Sequence, residues 1–202
     1  MEPQLNKEEL IKIQEGIRDK FSKVAVSPEG LFKYPTGKKG LQKLEYDEDL
    51  IEKLPDEVVA SYCGVGNPFS LGEIHQGEVV LDVGCGAGVD SIIAGLMVGP
   101  QGSIDGVDIV PEIIARAERN LSSTKLNNVN FHITTGDKLP FGDSTFDVII
   151  SNGVINLIPD KETILKEIFR VLKPEGRLML ADQVAVGSIQ TDLKARLANW
   201  FQ

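Results

Sequence analysis

Apolar positions follow two different rhythms along this chain. In the first third they recur at helical spacing: Leu10, Ile13, Ile17, Phe21 and Val24 make one stripe. Asn6 precedes that stripe and Glu9 follows three positions later, the arrangement of a capped helix start. Ser27 to Gly40, with two prolines and three glycines, is expected to be loop. A second helical pattern runs from about Asp47 through Tyr62, interrupted at Pro55, and meets another loop at Gly64-Val-Gly-Asn-Pro68. Residues 1–70 are too few and too irregular for a separate domain and are expected to form a helical cap or extension over a core at 71–202.

From Gly77 the rhythm becomes strand, helix, strand. The expected strands are Val79–Val83, Ser103–Asp108, Val129–Thr134, Phe146–Ser151 and Arg177–Val184. Helices are expected between them at Val89–Val98, Pro111–Ser123 and Asp160–Leu172, with a last helical stretch from Gln190 to Phe201. Alternation of this kind predicts an α/β fold, a mostly parallel sheet with helices on both faces.

The chemistry concentrates at the first strand–helix junction. Val79 to Asp90 reads VVLDVGCGAGVD: a buried strand, then Gly84, Cys85, Gly86 and Gly88, then a helix start. Asp108 follows at the tip of the second strand, about 20 residues on, where a carboxylate accepts hydrogen bonds from ribose hydroxyls. The spacing is G-x-G-x-G, not the G-x-G-x-x-G of dinucleotide enzymes, and Asp82 ends the strand. A carboxylate there repels a pyrophosphate and suits an ammonium group.

Composition narrows the partners. The formal net charge of −9 argues against a polyanion, so no nucleic acid is expected. Lys33 to Lys43 is a local basic stretch, read as a solvated loop. No apolar run reaches the roughly 18 residues of a spanning helix, so no membrane association is expected. The N-terminus lacks a signal-peptide plan, and two cysteines make no disulfide framework, so a cytoplasmic setting is expected. His75 and His132 stand without metal-ligand company; no metal site and no Ser/His/Asp set is expected.

The glycine loop with Asp82 and Asp108 resembles the motifs of class I S-adenosylmethionine-dependent methyltransferases. That resemblance implies a Rossmann-like fold, S-adenosylmethionine as cofactor, and a transferase of the methyl group. Three further stretches narrow it: Val58-Val-Ala-Ser-Tyr-Cys-Gly-Val-Gly-Asn-Pro68, Ser151-Asn-Gly-Val-Ile-Asn-Leu-Ile-Pro-Asp-Lys161 and Arg170-Val-Leu-Lys-Pro-Glu-Gly176. From about residue 55 to 185 the chain is similar to the arsenite methyltransferases. That family's arsenic-binding cysteines fall at Val65 and Gly153, and its third is expected near a tryptophan, whereas this chain ends just beyond Trp200 without it. The cofactor site therefore carries over and the arsenic site does not. The family usually closes its sheet with an antiparallel hairpin that is missing or truncated here, so a homodimer or a covering segment is expected over the exposed edge strand.

The resemblance implies cofactor roles for Asp82, Gly84, Cys85, Gly86, Gly88, Asp108, Ile109, Asp137, Lys138 and Asn152. Asp82 would face the amino group, Asp108 the ribose, Asp137 the adenine amino group, and Asn152 the methionyl portion. The fourth strand's end lacks the Asn/Asp-Pro-Pro-aromatic motif of base methylation. Cys63, Tyr62 and Asn152 are the candidates nearest the chemistry, and Tyr34 and Tyr62 candidates to line the methyl pocket. Without an evident general base, the expected reaction is in-line methyl transfer to a soft or already ionised small molecule. The competing expectation is a non-catalytic S-adenosylmethionine-binding protein that has lost its acceptor site; a nicotinamide-dependent reductase is disfavoured by the loop spacing and Asp82.

Overall fold

The computed structural model describes residues 6–134 and 138–184. Asp137, the stretch from Gln190 to Phe201 and Trp200 lie outside the described residues. Helix α1 (Lys7–Val24) begins with a reciprocal capping box: the Asn6 side chain accepts the Glu9 N–H at 3.0 Å, and the Glu9 carboxylate accepts the Asn6 N–H at 2.7 Å. Its apolar stripe buries Ile13, Ile17 and Val24. The expected loop after it is shorter than its prolines and glycines indicate. Helix α2 (Gly37–Lys43) forms because Leu41 is fully buried and the Tyr62 carbonyl accepts the Gly37 N–H at 2.8 Å. Tertiary contacts there override weak local propensity. The pattern broken at Pro55 becomes two short helices, α3 (Glu48–Ile51) and α4 (Asp56–Ala60), with Pro55 at the N-cap of the second.

Five parallel strands follow: β1 (Val79–Val83), β2 (Ser103–Asp108), β3 (Val129–Ile133), β4 (Phe146–Asn152) and β5 (Leu172–Ala181), in the order β3-β2-β1-β4-β5. Right-handed crossovers dictate where the helices go. The chain moves outward from β1 to β2 to β3, which puts α5 (Val89–Val98) and α6 (Pro111–Ser122) on one face. From β4 to β5 it moves the other way, so α7 (Lys161–Val171) covers the opposite face. Along β1, Val80 packs with Ala94 and Val98 of α5, while Leu81 and Val83 pack with Ile164, Ile168 and Val171 of α7. Strand β5 starts earlier than expected and ends sooner: Leu172 already pairs with Phe146, a bulge intervenes, and Arg177 resumes the ladder opposite Val148.

The N-terminal helices share a core with the sheet's helical layer. Leu41, Tyr46, Ile51, Leu54, Val58 and Tyr62 pack with Val89, Ile92 and Ile93 of α5. The sheet's order reverses between β1 and β4, the switch point where open α/β sheets open a crevice at their carboxyl ends.

Helix α5 can begin where it does because residue 88 is glycine. Its φ is +79°, and a Cβ there would lie 2.6 Å from Cζ of Phe131 and 3.1 Å from Cβ of Ala117. Gly88→Ala therefore combines backbone strain with overpacking, at an expected cost of about 2–3 kcal/mol. Urea unfolding checks this; a midpoint equal to that of the unmodified protein would contradict it.

Candidate functional site

A cavity of about 970 Å³ opens at the switch point, roofed by α1. That volume lies at the upper end of the roughly 300–1,000 Å³ of small-molecule sites. Its floor is the carboxyl edge of the sheet. Asp82, Gly84, Cys85 and Gly86 come from the end of β1 and its loop, Asp108 and Ile109 from the end of β2, and Asn152 from the end of β4; all line it, as do Tyr34, Tyr62 and Cys63. Two cofactor candidates lie elsewhere. Gly88 is buried against Phe131, and Lys138 is exposed, with its carbonyl accepting the Thr134 hydroxyl at 2.9 Å.

The loop's shape is set by the strands around it. The Val107 carbonyl accepts both the Gly84 and the Cys85 N–H, at 2.8 and 2.9 Å. The Asp108 carboxylate accepts the Gly86 N–H at 3.1 Å and the Val110 N–H at 3.0 Å, tying the tip of β2 to the glycine turn. Each of its oxygens keeps further acceptor capacity. Gly86, at φ +52°, meets only the tip of Ile113, at 3.8 Å. Its backbone is the bare one that a ligand can approach.

A buried polar network joins the N-terminal segment to this floor. The Asn152 side-chain oxygen accepts the N–H groups of Val65 and Gly66, at 2.9 and 3.1 Å. Its amide nitrogen donates to the Gly66 carbonyl at 2.8 Å and to the Asp90 carboxylate at 2.9 Å. Tyr46 donates to Asp90 at 2.8 Å, and the Tyr62 hydroxyl lies 2.9 Å from the Gly66 carbonyl and 3.1 Å from the Tyr46 hydroxyl. Asp90 and Tyr46 were not among the sequence candidates. The signal for Asp90 was present: it is the one carboxylate on a helix otherwise built from apolar and small residues, VDSIIAGLMV, and such an acid must be buried with partners.

Acids crowd the floor. Asp82 is 2% exposed and accepts the Ser91 hydroxyl at 2.6 Å. Burial, reinforced by the charges of Asp90 and Asp108, pushes its carboxyl up to about 8. Burial pushes Asp90 up to about 6 against the pull of its Asn152 and Tyr46 hydrogen bonds, and it raises Asp108 as well. Burial also pushes the Cys63 thiol up to about 12, with the charges of Asp90 and Asp108 adding to the shift. Tyr62 is raised by burial too. Such a floor stabilises a bound cation, and Asp82 keeps its proton when none is bound. Asn156 adds an acceptor to the lining: its buried side-chain oxygen has no donor among the described residues. Bare backbone at Gly86, an acid at the tip of β2 and an acidic floor fit a cofactor with a ribose, an ammonium and a sulfonium.

The acidic floor has a consequence for stability. Asp82 holds its proton in the folded protein up to about pH 8, whereas in the unfolded chain it ionises near its usual value of 3.8. The folded state binds the extra proton, so this stabilisation is lost as pH rises across that window. The ligand-free protein should melt at progressively lower temperature between about pH 5 and pH 8, and Asp82→Asn should remove much of that slope. Thermal melts of both proteins in matched buffers check this; equal slopes would refute the assignment to Asp82.

Comparisons with known proteins agree with this geometry. Residues 74–202 match the family model described as a methyltransferase domain. The arsenite methyltransferase of Halobacterium salinarum is 37% identical over 155 residues, which cover 77% of this chain and 39% of that protein. The chain thus spans about two fifths of the length of this relative. The structure resembles that of an arsenic(III) S-adenosylmethionine methyltransferase from Chlamydomonas reinhardtii, with a TM-score of 0.55 and 31% identity over 74% of this chain and 50% of that one. It also resembles an S-adenosylmethionine-dependent methyltransferase from Aquifex aeolicus, with a TM-score of 0.54 and 25% identity over 74% of this chain and 77% of that one. The chain belongs to the class I S-adenosylmethionine-dependent methyltransferases and is arsenite-methyltransferase-like in sequence.

Proposed function

We propose that this protein transfers a methyl group from S-adenosylmethionine to a small, soft or ionised nucleophile. The observation that carries the reading is the acidic, glycine-floored crevice at the switch point between β1 and β4. Asp90, joined by Asp82 once a bound cation displaces its proton, supplies negative charge near the methionyl portion, Asp108 accepts from the ribose hydroxyls, and Asn152 holds the loop that faces them. The cofactor, when bound, supplies a methyl carbon on a sulfonium. The acceptor's electron pair forms a bond to that carbon as the carbon–sulfur bond breaks, and the broken bond's pair stays on sulfur. The residues around the crevice align the two partners and exclude water from between them.

Arsenite is not the acceptor we favour. The two positions that the family resemblance assigns to arsenic-binding thiolates are Val65 and Gly153, and they touch each other: a Cβ on Gly153 would lie 3.2 Å from both γ carbons of Val65. The same observation favours the second reading, a protein that binds the cofactor without turning it over. For the edge of β5, which has no strand on its outer side among the described residues, we favour cover by a second copy.

Asp108→Asn keeps one acceptor and removes the charge, so it should weaken S-adenosylhomocysteine binding on the order of tenfold. Calorimetric titration checks this, and unchanged affinity would remove Asp108 from the cofactor site. An acceptor screen with thiols, phenols and arsenite, read as S-adenosylhomocysteine release, separates the two readings. Tight cofactor binding with no release on any acceptor would establish the second.

A further inference from the structure

The cavity is electrically divided. Its sheet side carries Asp82, Asp90 and Asp108. Among the described lining residues the cations are Arg18 and Lys20, both on α1. The other lining acids, Glu112 and Asp160, are exposed at the starts of α6 and α7. Opposite charges on two walls of one cavity match two ligands of opposite charge, and the acidic wall is already assigned to a cationic cofactor.

The α1 wall is also the aromatic one. Phe21, Phe32 and Tyr34 line it and are each half-buried. The rings of Phe32 and Tyr34 lie 5.1 Å apart, and the Lys20 ammonium sits 4.6 Å from the centre of the Phe32 ring. Tyr34 is fixed by donating to the Cys63 carbonyl at 3.0 Å, which brings the wall against the loop that Asn152 holds. Burial makes the Lys20 ammonium harder to keep charged, a penalty that a bound anion relieves.

We propose that this wall is the acceptor subsite, and that it takes a flat, largely apolar small molecule carrying one anionic group. The ring lies among Phe21, Phe32 and Tyr34, and the anion meets Lys20. Specificity then comes from an aromatic slot and a cation rather than from thiolates at positions 65 and 153. The bound molecule's role as methyl acceptor rests on the methyl-transfer reading above; its binding does not.

Naphthoate and its neutral analogue naphthalenemethanol, titrated by fluorescence with and without saturating S-adenosylhomocysteine, test this. The expected result is naphthoate binding about tenfold tighter than the alcohol. Lys20→Met should abolish that preference, Lys20→Arg should retain it, and Lys12→Met, an exposed position on α1 that does not line the cavity, should leave it unchanged. The comparison of the two probes on the unmodified protein needs no variant to fold. Equal affinity for the two, or a preference that survives Lys20→Met, overturns the proposal. If naphthoate binds and S-adenosylhomocysteine does not, the subsite stands and the methyl-donor reading falls. The reverse pattern overturns the subsite alone.

Discussion

One side-chain amide holds the site together. Asn152 ends β4 at the point where the strand order reverses, and it spends both halves of its amide on other elements. Its oxygen takes two backbone N–H groups from the loop after α4, and its nitrogen serves the Gly66 carbonyl and Asp90. A loop's backbone groups need partners when they leave solvent, and here one residue of the sheet provides them. Without that amide, the segment that carries Cys63 and Val65 would lose its direct bonds to the sheet and depend on the tyrosines alone. Tyr46 and Tyr62 close the network, so the N-terminal helices are held to the cradle by polar bonds as well as by the core around α5.

The electrostatics follow from how little water reaches the floor. Three carboxyls sit together on strand ends and the start of α5, a costly arrangement that folding alone does not need. The cost is explained if a cation completes the site. Gly86 leaves backbone bare beside that floor, so the same turn that crowds the acids also gives a ligand room to reach them.

Much of this was legible in the sequence because the signals were local. The strand–glycine–helix junction, the Asp108 offset and the capping box each lie within a short window, and the structure has them where the pattern puts them. What the sequence hid depends on distant partners. Helix α2 rests on Leu41 and the Tyr62 carbonyl, and no window around Gly37 contains that information. Gly88 reads as a cofactor glycine, but its neighbours are Phe131 and Ala117, which fold back from β3 and α6. Asp90 and Tyr46 find each other across 44 residues, so neither stood out alone.

The contact between Val65 and Gly153 constrains how this pocket can change over evolutionary time. Residue 153 holds φ at +74°, and any side chain there must share space with the branched carbons of residue 65. Trimming residue 65 opens room at no steric penalty, whereas enlarging residue 153 first collides with it. Between a thiol-lined and a hydrocarbon-lined pocket the two positions are therefore epistatic, and the low-cost route has a direction. A lineage moving towards this chain's state would lose the side chain at 153 before gaining valine at 65, and one moving away would run the same steps backwards.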